Sequence, residues 1–250
     1  MTDEEVWNFP PRDLSLSAQK IHVWRANLEE SEERVQDLLK VLSLDERNRA
    51  DRFRFEHHRN HFIVGRGILR SLLSSYLHIA PEALKFSYGE RGKPELINLP
   101  NSDNNHQKLH FNLAHSQGLA LYAIGDRPVG IDLEQIRSVS DLEALTRRFF
   151  SASEYTAISA LSAQQQPTAF FRYWTCKEAY LKATGEGLAK LKELEISLSS
   201  QLLSSPSTQF VNVPTGTIAD WHLQELVPAT GFVGAIVTTG QNLEIDRWQF

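Results

Sequence analysis

The segment KIHVWRANL, Lys20 to Leu28, alternates apolar and polar positions and predicts a strand. From Ser31 to Val41 the spacing lengthens to that of a helix. Ser31 is the N-cap, and Glu32 and Glu33 fill the first turn, where the helix dipole favours acids. Ser43 to Leu77 continues as helix in two pieces that meet near Glu56. Phe62, Leu69, Leu72, Leu73 and Tyr76 form the apolar stripe of the second piece, while Gly65 and Gly67 weaken it and permit close backbone packing. Strands are predicted at Leu84–Tyr88, Leu109–Leu113 and Leu119–Ile124, with ERGKPEL as a turn and LPNSDNNHQK as a polar surface loop.

The same kinds of element recur after IGDRP, Ile124 to Pro128. GIDLE reads as a strand, Ser151–Ser162 and Thr168–Ala183 as helices, and Leu194–Leu198, Phe210–Val213, Trp221–Glu225 and Phe232–Val237 as further strands. Ser197 to Gln209 is the most loop-like interior stretch. The expected fold class is α+β, in two halves of residues 1–126 and 127–250, each with helices and a small, mostly antiparallel sheet.

Composition adds exclusions. A chain of 250 residues, 41% hydrophobic and 23% charged, is ordinary for a soluble globular protein. MTDEEVWNFPPRD carries neither a basic nor an apolar leader region, and no apolar run approaches the roughly 20 residues of a membrane span. The single cysteine, Cys176, excludes an internal disulfide and a cysteine-based zinc site, so the cytoplasm is the expected location. Charge is uneven: Lys40 to Lys93 holds 11 basic residues against six acids, a local +5, so the remainder carries −10. That contrast fits a local anion site rather than general nucleic-acid affinity, although a solvated helix surface accounts for the charge equally well.

The segment RPVGIDLEQI, Arg127 to Ile136, points to chemistry. Side chains alternate along a strand, so Val129, Ile131 and Leu133 share one face, and Asp132 and Glu134 the other. Two carboxylates held side by side repel each other, and a cation relieves the repulsion. In FFRYWTCKEAYLKATGEGL, Phe170 to Leu188, helical spacing aligns Trp174, Glu178 and Lys182, and Gly185 and Gly187 end the helix. A Glu–Lys pair four apart is by itself ordinary surface decoration. Together with the strand, Asp132, Glu134 and Glu178 form an all-oxygen set suited to Mg²⁺, and Lys182 reaches a phosphate held there. The residues themselves therefore suggest a Mg²⁺-dependent site for a small molecule bearing a polyphosphate. No P-loop, dinucleotide fingerprint, nucleophile elbow or H-E-x-x-H pattern competes; His57 and His61 read as polar residues of a basic helix.

GIDLE followed by WTCKEAYLKATGEGL, with GKPEL and FNLAHS upstream, closely resembles the signature of the 4′-phosphopantetheinyl transferases of the larger, Sfp-type branch. The resemblance implies a monomer of two α/β halves about a pseudo-twofold axis, with coenzyme A between them. It implies transfer of the phosphopantetheine arm to a serine of an apo acyl or peptidyl carrier protein, with release of 3′,5′-ADP. By that matching Asp132, Glu134 and Glu178 are the metal ligands for Mg²⁺, with Mn²⁺ as a substitute, and Glu178 and Lys182 are catalytic. Coenzyme A contacts fall on Arg49, Arg52, Arg91, Gly92, Lys93, Pro94, Ala114, His115, Lys177 and Lys182. Family members often read S-H-S where this chain has Ala114-His115-Ser116, so Ala114 offers only its backbone. Glu178 and a water at the metal remain alternative bases. Two other functions remain open: a Mg²⁺-dependent phosphohydrolase that consumes coenzyme A without a carrier, and a coenzyme A binder without turnover.

Overall fold

The computed structural model describes residues 5–11, 14–89, 92–97, 109–198, 208–240 and 243–250. LPNSDNNHQK and most of Ser197 to Gln209 lie outside them. Two sheets stack face to face, and helices cover their outer faces. The first sheet has the order β11-β1-β5-β4, built from β1 (Lys20–Asn27), β4 (His110–Ser116), β5 (Leu119–Gly125) and β11 (Glu244–Gln249). The second has the order β6-β10-β9, from β6 (Val129–Gln135), β9 (Trp221–Leu226) and β10 (Phe232–Thr239). Hairpins β2 (Lys85–Tyr88)–β3 (Pro94–Ile97) and β7 (Glu195–Ser197)–β8 (Gln209–Asn212) stand apart.

Burial on both faces explains the nearly continuous apolar strands. Along β5, Ala120, Tyr122 and Ile124 pack toward α1 (Glu32–Lys40) and α3 (Glu56–Leu77), while Leu121 and Ala123 meet Ile131, Leu133 and Ile236 of the second sheet. On the far side, Val233, Ala235 and Val237 of β10 pack with Ala179, Tyr180 and Ala183 of α6 (Gln166–Thr184). The α+β class is the one the sequence predicts.

The helical stretch after Ser43 divides as expected into α2 (Leu44–Ala50) and α3. At Gly67 a Cβ would stand 2.7 Å from the Leu38 Cβ, so the glycine does permit close packing of α1 on α3. Three elements depart from the sequence reading. Pro94, Glu95 and Leu96, read as part of a turn, belong to strand β3, and Gly92, two residues before it, has φ +74°. Helix α4 (Leu142–Phe149) joins α5 (Ala152–Ser159) and α6 on the second sheet, and β11 pairs in parallel with β1.

Candidate active site

Strand β6 places Val129, Ile131 and Leu133 in the core between the sheets. Gly130, Asp132 and Glu134 therefore face α6. A Cβ at Gly130 would stand 2.0 Å from the Ala179 carbonyl oxygen and 2.4 Å from the Ala183 nitrogen, so only glycine lets the helix lie this close. That contact sets Glu178 and Lys182 against Asp132. Lys182 Nζ donates to Asp132 Oδ1 at 2.7 Å and to the Ile131 carbonyl at 3.2 Å. Asp132 Oδ2 is buried without a hydrogen-bond partner.

Electrostatics record the crowding of acids. Burial, then the charge of Asp132, pushes Glu178 up to about 7, with Glu134 adding and Lys182 opposing. Burial likewise raises Asp132, against the pull of Lys182. Glu134 is fixed from the other sheet: Ser116 Oγ donates to its Oε2 at 3.0 Å and accepts from the Gln135 N–H at 3.2 Å, and Arg137 Nη1 adds a bond of 3.1 Å. Four residues earlier on each strand, Asn112 Oδ1 accepts from the Ile131 N–H at 2.8 Å. Side chains of β4 thus satisfy two N–H groups on the edge of β6, and the two sheets are joined beside the acids.

Among the described residues no three His, Cys, Asp or Glu side chains converge as metal ligands, and Lys182 occupies Asp132 Oδ1. The donor set nevertheless suits a hard cation. It has an orphaned carboxylate oxygen on Asp132, a second acid that feels two carboxylate charges, and a third oriented by Ser116.

A cleft of about 890 Å³ opens in front of Glu178 and Lys182, within the range of small-molecule sites. Gly185, Glu186 and Gly187 continue this wall, and Arg49, Arg66, Gly92, Lys93, Pro94, Glu95, Asn112 and His115 are among the residues opposite. Lys93 Nζ donates to the Lys182 carbonyl at 2.5 Å, tying the β2–β3 turn to the last turn of α6. Burial lowers the pKa of Lys93, with Lys182 adding and Glu95 opposing. His115 is lowered by burial, then by Lys182 and His61, with Glu134 opposing.

The cleft therefore gathers Arg49, Gly92, Lys93, Pro94, His115, Glu178 and Lys182, with Asp132 bonded to Lys182. Other expected contacts lie elsewhere. Arg52 lines an adjoining depression that shares Arg49 with the cleft. The Ala114 side chain packs between the sheets, and Arg91 lies outside the described residues. Lys177 does not face the cleft. It is fully buried, with Nζ 2.8 Å from Glu154 Oε2 and donating to the carbonyls of Leu191, at 2.7 Å, and Leu194. Neighbours on a helix point about 100° apart, so Lys177 cannot follow Glu178 to the same face. Arg66, Asn112 and Glu186 are cleft residues that sequence reasoning did not assign. Arg66 sits within an amphipathic helix beside two glycines, where nothing in the sequence separates it from surface arginines.

Comparison with known proteins matches the two parts of the chain separately. Residues 24–125 match a family model described as 4′-phosphopantetheinyl transferase, N-terminal, and residues 128–237 match that of the 4′-phosphopantetheinyl transferase superfamily. The 4′-phosphopantetheinyl transferase HetI of Nostoc sp. is 43% identical over 252 residues, covering 99% of each chain. The 4′-phosphopantetheinyl transferase psf-1 of Bacillus pumilus is 34% identical over 62% of this chain and 63% of its own. Sfp of Bacillus subtilis, of the same designation, is 30% identical over 64% and 67%.

Proposed function

The chain belongs to the 4′-phosphopantetheinyl transferase superfamily and is a phosphopantetheinyl transferase, and from that premise we propose how its residues share the work. The reaction moves the phosphopantetheine arm of coenzyme A to a serine of an apo acyl or peptidyl carrier protein and releases 3′,5′-ADP. One observation carries the assignment of roles: Glu178 and Lys182 of α6, the latter bonded to Asp132, share a single cleft with Arg49, Arg66, Lys93 and His115. Residues 1–126 thus supply most of the cations, together with Glu95, and residues 127–250 supply Glu178, Glu186 and Lys182.

Mg²⁺ held by Asp132, Glu134 and Glu178 would neutralise the pyrophosphate of coenzyme A. The carrier serine oxygen attacks the phosphorus next to pantetheine, and the bond from that phosphorus to the departing 3′,5′-ADP breaks. Glu178, on the face of α6 beside Lys182, accepts the serine proton. Lys182 stabilises the charge that grows on the leaving group. Ser116 and Arg137 keep Glu134 aimed, and Lys93 holds the turn of Gly92 and Pro94 against α6. A cytoplasmic monomer completes the reading, since one chain builds both walls and no described helix is long and apolar enough to cross a membrane.

Intact-protein mass of an apo acyl carrier protein, incubated with this chain, coenzyme A and Mg²⁺, tests the proposal. The carrier should gain one phosphopantetheinyl unit, and the gain should vanish when chelator replaces metal. Consumption of coenzyme A without a carrier would establish a phosphohydrolase instead, and binding without any product a silent binder.

A further inference from the structure

Asn112 is 5% exposed and lines the cleft. Its Oδ1 accepts from the Ile131 N–H at 2.8 Å, and Lys182 Nζ donates to the carbonyl of the same Ile131 at 3.2 Å. The N–H and C=O of one strand residue point to the same side of the strand, so Asn112 and Lys182 meet side by side on the edge of β6 that β10 leaves free. Only the oxygen of a carboxamide accepts a hydrogen bond. The Ile131 N–H therefore fixes which way the Asn112 amide is turned, with its two N–H donors on the other side. Among the described residues Nδ2 makes no hydrogen bond, and it is not one of the buried polar atoms left without a partner, so it is open to the cleft. Ser116, four residues on, holds the Gln135 N–H in the equivalent way but spends its own proton on Glu134. Asn112 has both donors in hand.

We infer that Asn112 is a further catalytic residue, whose Nδ2 donates to a nonbridging oxygen of the phosphoryl group in transfer. The inference rests on the transferase reading, which sets the pyrophosphate of coenzyme A against Asp132 and Lys182. A donor beside Lys182 then meets an oxygen of the phosphorus under attack. As the serine oxygen bonds to that phosphorus and the bond to 3′,5′-ADP breaks, charge spreads over the nonbridging oxygens, which flatten into the plane between the two. A donor aimed there holds one of them through the transition state. Because the Ile131 bond already orients the carboxamide, no reorientation is needed at the moment of transfer. Asn112 neither gives nor takes a proton; the serine proton goes to Glu178 as before. Lys182 divides its ammonium between Asp132 and Ile131, so a neutral donor at its side adds stabilisation on the transferred group rather than on the departing one.

The test measures the single-turnover rate of carrier modification at saturating coenzyme A and Mg²⁺, beside calorimetric affinity for 3′,5′-ADP, in the natural chain, Asn112→Leu and Asn112→Asp. 3′,5′-ADP lacks the phosphoryl group in transfer, so its affinity reports the shape of the cleft without the proposed bond. Leucine nearly keeps the volume and removes donor and acceptor without adding charge. Aspartate keeps an acceptor for the Ile131 N–H and removes the donor. Asn112→Leu should slow transfer roughly 10- to 100-fold while affinity for 3′,5′-ADP stays within about threefold. Asn112→Asp should slow transfer by a larger factor than it weakens 3′,5′-ADP, although its new charge lowers both. A folded Asn112→Leu chain whose rate lies within about threefold of the natural one overturns the inference. So does one whose rate and 3′,5′-ADP affinity fall by the same factor, which marks a displaced strand. Should leucine prevent folding, Asn112→Asp decides: a rate that falls no further than the affinity overturns the inference, and one that falls further upholds it. A natural chain that modifies no carrier defeats the transferase reading itself, a distinct result.

Discussion

Lys177 and Lys182 lie on the same helix, and each is paired with a carboxylate, Glu154 at 2.8 Å and Asp132 at 2.7 Å. Their surroundings differ. Lys177 Nζ has two further carbonyl acceptors, and Glu154 accepts from the Ile196 N–H at 2.9 Å and the Ser151 N–H at 2.8 Å. Both Glu154 oxygens and the ammonium are satisfied within the fold. Around Lys182 the set is open: Asp132 Oδ2 has no partner, and Glu178 beside it is raised by burial and by Asp132. Pair distance does not separate the two lysines; unmet hydrogen-bonding capacity does. The Lys177–Glu154 pair, with its partners complete, belongs to the architecture, whereas the Lys182–Asp132 pair lies at the cleft with capacity left over.

The sharpest way to break this contrast is Asp132→Asn, which removes a charge at nearly constant volume. Carrier modification should fall by about 10²- to 10³-fold in kcat/KM. The midpoint of thermal unfolding should move by no more than about 3 °C, because the amide oxygen still accepts from Lys182 and that ammonium is partly exposed. Activity within tenfold of the natural chain would remove Asp132 from the site. Lys177→Met is the converse. It strands Glu154 and two carbonyls in the core, at a cost of about 3–5 kcal/mol, or roughly 10 °C in the unfolding midpoint. Below that transition the folded variant should transfer phosphopantetheine at a rate within severalfold of the natural one. A dead enzyme with an unchanged midpoint would put Lys177 in the site and dissolve the comparison.

The shared faces of Asp132 with Glu134 and of Glu178 with Lys182 were legible because periodicity fixes them, two along a strand and four along a helix. What periodicity omits is where an element stands against its neighbour. Gly130 reads as a weakness in a strand, yet its missing Cβ is what brings α6 onto Asp132. Motif position alone placed Lys177 at the ligand, whereas the direction of its side chain depends on Glu154, supplied by α5. Strand β11 escaped notice because its partner β1 lies at the other end of the chain, and parallel pairing leaves no hairpin signal. Strand β3 was hidden by Pro94, which occupies its first position, where a missing N–H is tolerated.

The smallest expected effect carries the comparison to groups that titrate near neutrality. His22 is enclosed: its Nδ1 is 2.6 Å from the Tyr76 hydroxyl and its Nε2 3.6 Å from Asp246. Burial, against Asp246 and with help from Lys20, holds it below its usual 6.5. His115 is lowered for the same leading reason but lines the cleft. In both cases the fold favours the neutral ring, so the unfolded chain takes up protons first as pH falls below 6.5. Their contributions to stability are present above that pH and are lost below it. His22→Gln should flatten the decline in denaturant midpoint between about pH 7.5 and 5.5, by an amount on the order of 1 kcal/mol or less, with or without coenzyme A. A bound phosphate should restore proton affinity to His115 alone. The natural chain should therefore lose less stability over that interval with coenzyme A than without it, and His115→Gln should remove the difference. If His22→Gln removes it instead, the enclosed histidine is coupled to the ligand and the line between closed and open sets has been drawn in the wrong place.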